Sequence, residues 1–212
     1  MITPMMIRCP DKPHWINHLT LIDYETNEYI ATAKYDGYRC IIDWDGTKLE
    51  FYSRKGTGEG GPNKHPVQND LIATTIKWLK LNNIPPNTRL DGEWVNFRTS
   101  CEPFLVIFGI QYWNKQWIGN KSEKERFEQI KQLEYPFKQL ILAKYSESNY
   151  LEFYNSIKNE DLSKSEKNWI YEGVVLKHTN SKLIGNSKSS SKNPLWVKAK
   201  WREGCSGREL MK

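Results

Sequence analysis

Short β-rich runs broken by Asp-Gly pairs fill the early part of the chain and restrict its fold more than any other feature. EYIATAKY (28–35), YRCIIDW (38–44) and KLEFYS (48–53) are separated by Asp36-Gly37 and Asp45-Gly46. Asp-Gly between β-branched and aromatic runs is a strong turn signal. Trp44-Asp45-Gly46-Thr47 reads as a hairpin turn, and Asp36-Gly37 as a tight turn returning the chain to a second strand. Further strand-like runs follow at TRLDGEWVNF (88–97), EPFLVIFGIQYW (102–113), WIYEGVVLKH (169–178) and LWVKAKW (195–201). Apolar spacing predicts helices over Asn69 to about Leu81, about Ser122 to Leu133, and about Ser148 to Lys158. The first helix should bury Leu71, Ile72, Ile76 and Leu79, and the second Phe127, Ile130 and Leu133. Strands dominate, helices are inserted and no regular βαβ alternation appears, so the pattern predicts an α+β fold of antiparallel sheets. The first ~25 residues, with Pro4, Pro10 and Pro13, read as a loop-rich lead-in, and residues 55–68 and 186–194 as polar surface loops.

Length and composition set the outer bounds. A chain of 212 residues suits one domain, here taken as 1–212. No run of about 18 apolar residues suggests a membrane span, and MITPMMIRCP lacks the pattern of a secretory signal. Cys9, Cys40, Cys101 and Cys205 show no CxxC spacing, and His14 and His18 near Cys9 lack an evident fourth partner, which argues against structural zinc. Scattered thiols fit a reducing, cytoplasmic setting. A net charge of +6 and a pI near 9.0 are compatible with a polyanionic partner. Most of the nine Trp are expected in the core, although aromatics beside Lys and Arg can stack on bases.

The densest chemistry lies in Lys34-Tyr35-Asp36-Gly37-Tyr38-Arg39. A nucleophilic lysine must shed a proton near neutral pH although its free pKa is about 10.4; burial and neighbouring cations favour that loss. A lysine at a strand end before a tight turn would face a pocket between sheets. Lys177, Lys198 and Lys200 supply cations on two strands, and Lys198 and Lys200, two apart, share a strand face.

Read in order, these segments resemble the covalent nucleotidyltransferase superfamily of ATP-dependent DNA ligases, RNA ligases and messenger-RNA capping enzymes. Lys34 to Arg39 matches its K-x-D-G-x-R signature, Ser53-Arg54 with Gly56 the next element, and Asp91-Gly92-Glu93 the third. Glu172-Gly173-Val174-Val175-Leu176-Lys177 matches the E-G-hydrophobic-K element, and Trp196-Val197-Lys198-Ala199-Lys200 the last. Phe108 sits where a base-stacking aromatic is expected. Two departures stand out: Gly109 follows Phe108 where the family often has Asp, and Thr32 lies where many ligases have Glu. Thr32 is shared with compact viral DNA ligases, which residues 30–39 also resemble.

The resemblance implies an adenylation domain of packed antiparallel sheets flanked by helices, ATP-grasp-like. Only twelve residues follow Lys200, too few for a five-stranded barrel, so the expected architecture is without a C-terminal OB-fold. By resemblance, Lys34 attacks the α-phosphate of ATP, and Arg39, Lys198 and Lys200 complete the catalytic set. Thr32, Ala33, Lys34, Arg39, Arg54, Glu93, Phe108, Lys177, Lys198 and Lys200 would bind the nucleotide, with Lys177, Lys198 and Lys200 at its phosphates. Glu93 would contact the ribose, and Glu172 with Glu93 would position Mg²⁺ or Mn²⁺. The implied partner is nicked duplex DNA, with RNA-containing ends as the alternative; a capping-type guanylyltransferase is disfavoured because its fourth motif usually begins with Asp. A non-catalytic nucleic-acid-binding module would need no nucleophile. The further expectations are a monomer, no membrane association, and a cytoplasmic protein of phage or viral origin.

Overall fold

The computed structural model describes residues 12–56, 62–96, 102–184 and 192–201. In chain order these form β1 (Lys12–Trp15), a 3-10 helix (His18–Tyr24), β2 (Tyr29–Tyr35), β3 (Tyr38–Trp44), β4 (Leu49–Gly56) and β5 (Pro62–Lys64). There follow α1 (Asn69–Leu81), β6 (Thr88–Val95), β7 (Phe104–Trp113), β8 (Gln116–Trp117), α2 (Glu123–Lys131), β9 (Leu140–Leu142) and β10 (Tyr145–Ser146). The chain continues through α3 (Tyr150–Leu162), a 3-10 turn (Glu166–Asn168), β11 (Tyr171–His178) and β12 (Lys192–Lys200). A five-stranded sheet has the order β1-β12-β11-β2-β10, and a seven-stranded sheet the order β5-β4-β3-β6-β7-β8, with β9 beside β7. The pairings are antiparallel except β1 with β12 and β7 with β9. The α+β expectation of largely antiparallel sheets with flanking helices therefore holds.

The Asp45-Gly46 hairpin forms as its chemistry predicts. One Asp45 carboxylate oxygen accepts the amides of Thr47 at 2.8 Å and Lys48 at 2.6 Å, and Gly46 adopts φ +106°, which favours glycine. Asp36-Gly37 behaves differently. The strands on either side do not pair; β2 belongs to the five-stranded sheet and β3 to the seven-stranded one. The dipeptide carries the chain from one sheet to the other, because a local turn signal fixes a change of direction and not the pairing partner.

Two apolar clusters hold the layers together. The first joins α1 and α2 to the seven-stranded sheet through Trp78, Leu79, Phe127 and Ile130. Along α1 the buried positions are Leu71, Thr75, Trp78 and Leu79, so the stripe runs through Trp78, while Ile72 and Ile76 are half-buried. The second cluster lies where the sheets meet: Val95 and Val106 pack with Ala33, Val174 and Leu176, and α3 closes it with Tyr150, Tyr154 and Ile157. Ser122 caps α2 reciprocally with Glu125: Ser122 Oγ accepts the Glu125 amide at 3.3 Å, and Glu125 returns a carboxylate to the Ser122 amide at 2.8 Å.

Several sequence expectations need correction. The lead-in is not all loop: β1 pairs with β12, and Asn17 caps the following 3-10 helix, its side chain accepting the Leu19 amide at 3.0 Å. The 55–68 stretch contains the end of β4, all of β5 paired to it, and the residues leading into α1, with 57–61 outside the described residues. Likewise β12 starts at Lys192, inside the 186–194 stretch, and Asn193 there is buried, its amide donating to the Lys182 carbonyl at 2.8 Å. In both places long-range pairing overrides a polar, breaker-rich composition. The third helix runs to Leu162, past its expected end, and Leu133 lies beyond α2, packed half-buried on the first cluster.

Candidate active site

A cavity of about 610 Å³ opens between the two sheets. That size suits a nucleotide-sized ligand. The five-stranded sheet contributes Thr32 and Lys34 from β2, Glu172 and Lys177 from β11, and Lys198 and Lys200 from β12. Facing them are Arg39 from β3, Glu93 from β6 and Phe108 from β7. Ala33, itself buried, also borders the space. Arg54 belongs to β4, and its side chain lies outside the described residues.

Register explains why the charged groups converge. Gly173 pairs with Lys34 on one side and Lys200 on the other, so these three positions form a row across β2, β11 and β12. Between Tyr171 and Gly173 the pairing with β2 slips by one residue. Glu172 is the extra residue of that bulge, which turns its carboxylate onto the face that Lys34 and Lys200 share. Lys34 Nζ donates to one Glu172 oxygen, and Lys200 forms an ion pair with the other. Only glycine suits the middle of the row, because a Cβ at position 173 would lie 2.0 Å from the Ala199 carbonyl oxygen.

A second bulge aims Phe108. Asp91 pairs with Gly109 and Gly92 with Ile107, which leaves Phe108 as the extra residue. Simple alternation would put Val106, Phe108 and Ile110 on one face, and the bulge breaks that face. Val106 and Phe108 belong to the cluster between the sheets, and Ile110 packs in the other one. Gly92 lets β7 approach closely here, since a Cβ on it would sit 2.4 Å from the Val106 carbonyl oxygen. The Arg39 guanidinium lies 4.6 Å from the Phe108 ring centroid and donates twice to the Asp91 carboxylate.

Lys177 departs from its expected place. The resemblance puts it with Lys198 and Lys200 at the phosphates, but it is four residues past Gly173 on β11. At ~3.3 Å per residue that is about 13 Å from the Lys34 row. Its ammonium sits at the Phe108 end, 2.8 Å from Glu123 Oε1 and 3.3 Å from the Phe108 carbonyl oxygen. Lys198 and Lys200 do share one face, as expected, and lie 4.8 and 5.1 Å from the ring of Trp15. Trp15, Glu123 and His65, whose Nε2 lies 3.0 Å from the Arg39 carbonyl oxygen, were not legible as site residues. Their elements were read as lead-in, helix start and loop, and only tertiary pairing brings them here.

The two carboxylates differ in ionisation. Burial pushes Glu172 up, but Lys34 and Lys200 outweigh it and hold the carboxyl below the usual carboxylate range. Glu93 goes the other way: loss of water around its carboxyl, aided by Glu172 and Asp91, overcomes the attraction of Lys34 and Arg39 and raises it to about 7. In the unfolded chain Glu93 ionises near 4.5. A raised acid weakens the folded state as it ionises, so this penalty is absent below pH 4.5, grows towards pH 7 and is full above it. Glu93→Gln should therefore melt at about the wild-type temperature at pH 4.5. It should gain on the order of 2 kcal/mol by pH 8, about 5 °C for a chain this size. A melting-temperature difference that stays flat over this range, measured without divalent metal, would contradict the assignment.

Among the described residues no group of three or more His, Cys, Asp or Glu forms a metal cage. Glu172 and Glu93 both border the cavity and lie near enough to influence each other's charge. One or two carboxylates with water and phosphate oxygens are what Mg²⁺ needs, so this pair fits an ion shared with a triphosphate. No helix among the described residues is long and apolar enough to cross a membrane.

At the level of sequence, no protein-family pattern and no curated protein matches the chain. The fold does match solved structures. It aligns with the ligase domain of M. tuberculosis LigD at a TM-score of 0.59 and 16% identity, over 90% of this chain and 59% of that one. A mycobacterial DNA ligase D complexed with ATP and MES aligns at 0.61 and 14% identity, over 95% of this chain and 62% of that one. A Naegleria gruberi RNA ligase aligns at 0.52 and 17% identity, over 93% of this chain and 57% of that one. The chain thus shares the fold of these ligase structures, as the sequence resemblance implied. It spans about three fifths of the length of these three proteins.

Proposed function

We propose that the chain is an ATP-dependent polynucleotide ligase that carries AMP on Lys34. The observation that supports this best is the convergence of Lys34 and Lys200 on Glu172 at one end of a nucleotide-sized cavity, with Phe108 towards the other. A triphosphate brings about four negative charges, and phosphoryl transfer is catalysed mainly by positioning and charge neutralisation. Lys34 Nζ, once deprotonated, attacks the α-phosphorus. A phosphorus–nitrogen bond forms, the bond to pyrophosphate breaks, pyrophosphate leaves with the electron pair, and Nζ releases one proton to solvent. Lys198 and Lys200 balance the charge of the leaving group, while Glu172 fixes Lys34 beside the α-phosphate. Mg²⁺ held by Glu172 and Glu93 would neutralise further phosphate charge when bound. Phe108 offers a ring for base stacking, and Arg39 is pinned behind it by Asp91.

AMP then passes to a 5′-phosphate, and a 3′-hydroxyl displaces it to close the strand. Nicked duplex DNA is the favoured substrate on the Arg39 and EGVVLK resemblance. Sealing of RNA-containing ends is the second reading, since both a DNA ligase D and an RNA ligase share the fold. The test is incubation with Mg²⁺ and labelled ATP or GTP, followed by a denaturing gel and then by nicked DNA and RNA substrates. Label from ATP alone supports a ligase. Label from GTP alone would indicate a capping-type enzyme, and a folded protein that takes label from neither would overturn the proposal.

A further inference from the structure

The ammonium of Lys177 is buried at the Phe108 end of the cavity and has three N–H groups to satisfy. One goes to Glu123 at 2.8 Å and one to the Phe108 carbonyl oxygen at 3.3 Å. The third has no partner among the described residues. The ammonium also lies 4.6 Å from the Trp196 ring and 5.6 Å from the Phe108 ring. A buried cation with an unused donor beside an open cavity is costly unless a ligand brings an acceptor.

The carboxylate that fixes this ammonium comes from outside the two sheets. Gly109, next to Phe108, has no side chain to offer. Glu123, 3% exposed, reaches in from the first turn of α2. Its second oxygen is taken by Arg126, 2% exposed, which also donates to the carbonyls of Lys121, Gly119 and Ser181. The amide of Lys124 donates to the Thr179 carbonyl at 2.9 Å and ties α2 to the end of β11. Glu123 is therefore held rigidly on both sides, and Lys177 cannot swing away without abandoning a buried carboxylate.

We propose that Glu123 is a positioning residue for the nucleotide. It sets Lys177 so that the remaining N–H meets an acceptor atom, such as a ring nitrogen, on the edge of a purine stacked on Phe108. The proposal rests on the reading of the cavity as a nucleotide site. Its effect falls on binding and not on the chemical step, because Lys177 is about 13 Å along the strand from the row that holds Lys34.

The test compares wild type, Glu123→Gln, Glu123→Asp, Lys177→Met and the Glu123→Gln/Lys177→Met double variant. Binding of labelled ATP is measured by equilibrium dialysis, the rate of adduct formation at saturating ATP by quenched-flow, and folding by thermal melting. Glu123→Gln should weaken ATP binding about tenfold, with the saturated rate within about twofold of wild type. Glu123→Asp should recover much of the affinity, and the double variant should bind no worse than Lys177→Met alone. Wild-type affinity in folded Glu123→Gln would overturn the proposal. So would unfolding of both Glu123 variants, or additive losses in the double variant, since each marks a purely structural role. A wild-type protein that fails to bind ATP overturns this proposal and the ligase reading together. ATP binding that responds to Glu123 without any covalent adduct overturns the ligase reading alone.

Discussion

Lys34→Ala should form no covalent adduct with labelled ATP, a loss of at least about a thousandfold, because no other group can replace a missing nucleophile. ATP affinity should change little by comparison, since Phe108, Lys177, Lys198 and Lys200 still border the cavity. Lys34→Arg separates charge from nucleophilicity. Its guanidinium can still pair with Glu172, but it stays protonated at every usable pH and cannot attack phosphorus. It should therefore keep the wild-type melting temperature and lose the adduct as completely as the alanine variant. A sharper check uses a strand already carrying AMP on its 5′-phosphate. Displacement of that AMP by a 3′-hydroxyl needs no lysine nucleophile, so both variants should still seal it. Adduct formation in either variant, or equal loss of sealing on the pre-adenylated strand, would mean that Lys34 does not do what we assign to it.

The sequence motifs pointed to the fold, and the structure gathers four of their residues beside one cavity. Lys34, Glu172, Lys198 and Lys200 were recognisable because each lies in a short motif whose spacing survives folding. Two kinds of information were hidden. The first is the bulge. Alternation along a strand puts Glu172 and Gly173 on opposite faces, and puts Phe108 with Ile110. One extra residue in each strand reverses these relations; Gly173 and Gly109 inside the strands hint at a bulge, but they do not say which neighbour is the extra residue or where its side chain turns. The second is the helix that arrives from elsewhere. Glu123 looks like an ordinary first-turn acid at a helix N-terminus. Only the docking of α2 shows its carboxylate between Arg126 and Lys177, and that contact holds Lys177 at the Phe108 end of the cavity, away from Lys34. The Asp36-Gly37 dipeptide makes the same point in reverse: its turn was legible, while the change of sheet depended on pairings far along the chain.

Glu172→Gln should have the next largest effect, and it should appear in stability and in chemistry at once. The carboxylate stands between two ammonium groups, and removing its charge leaves Lys34 and Lys200 facing each other at close range. The Lys34 side chain is 23% exposed and that of Lys200 is 11%, so water offsets part of the repulsion. A loss of about 2 kcal/mol at pH 7.5 follows, about 5 °C in melting temperature. The pH dependence has a definite sign. The lysines depress this carboxyl below the 4.5 of an unperturbed glutamate. Its stabilisation is therefore complete above pH 4.5 and fades as pH falls towards the lower folded value. The gap between wild type and variant should close below pH 4.5, and it should narrow somewhat from pH 6 to 8, where Glu93, which the Glu172 charge helps to keep protonated, ionises. Adduct formation should slow about a hundredfold at pH 7.5, because Lys34 loses the contact that places it and a displacement near 1 Å has that effect. Glu172→Asp should recover part of the stability and less of the rate, since the charge returns one methylene short of both lysines. A Gln variant that melts with wild type at pH 7.5 would show that Lys34 and Lys200 do not depend on Glu172. One that melts lower but forms adduct at the wild-type rate would make Glu172 a structural residue with no part in placing the nucleophile.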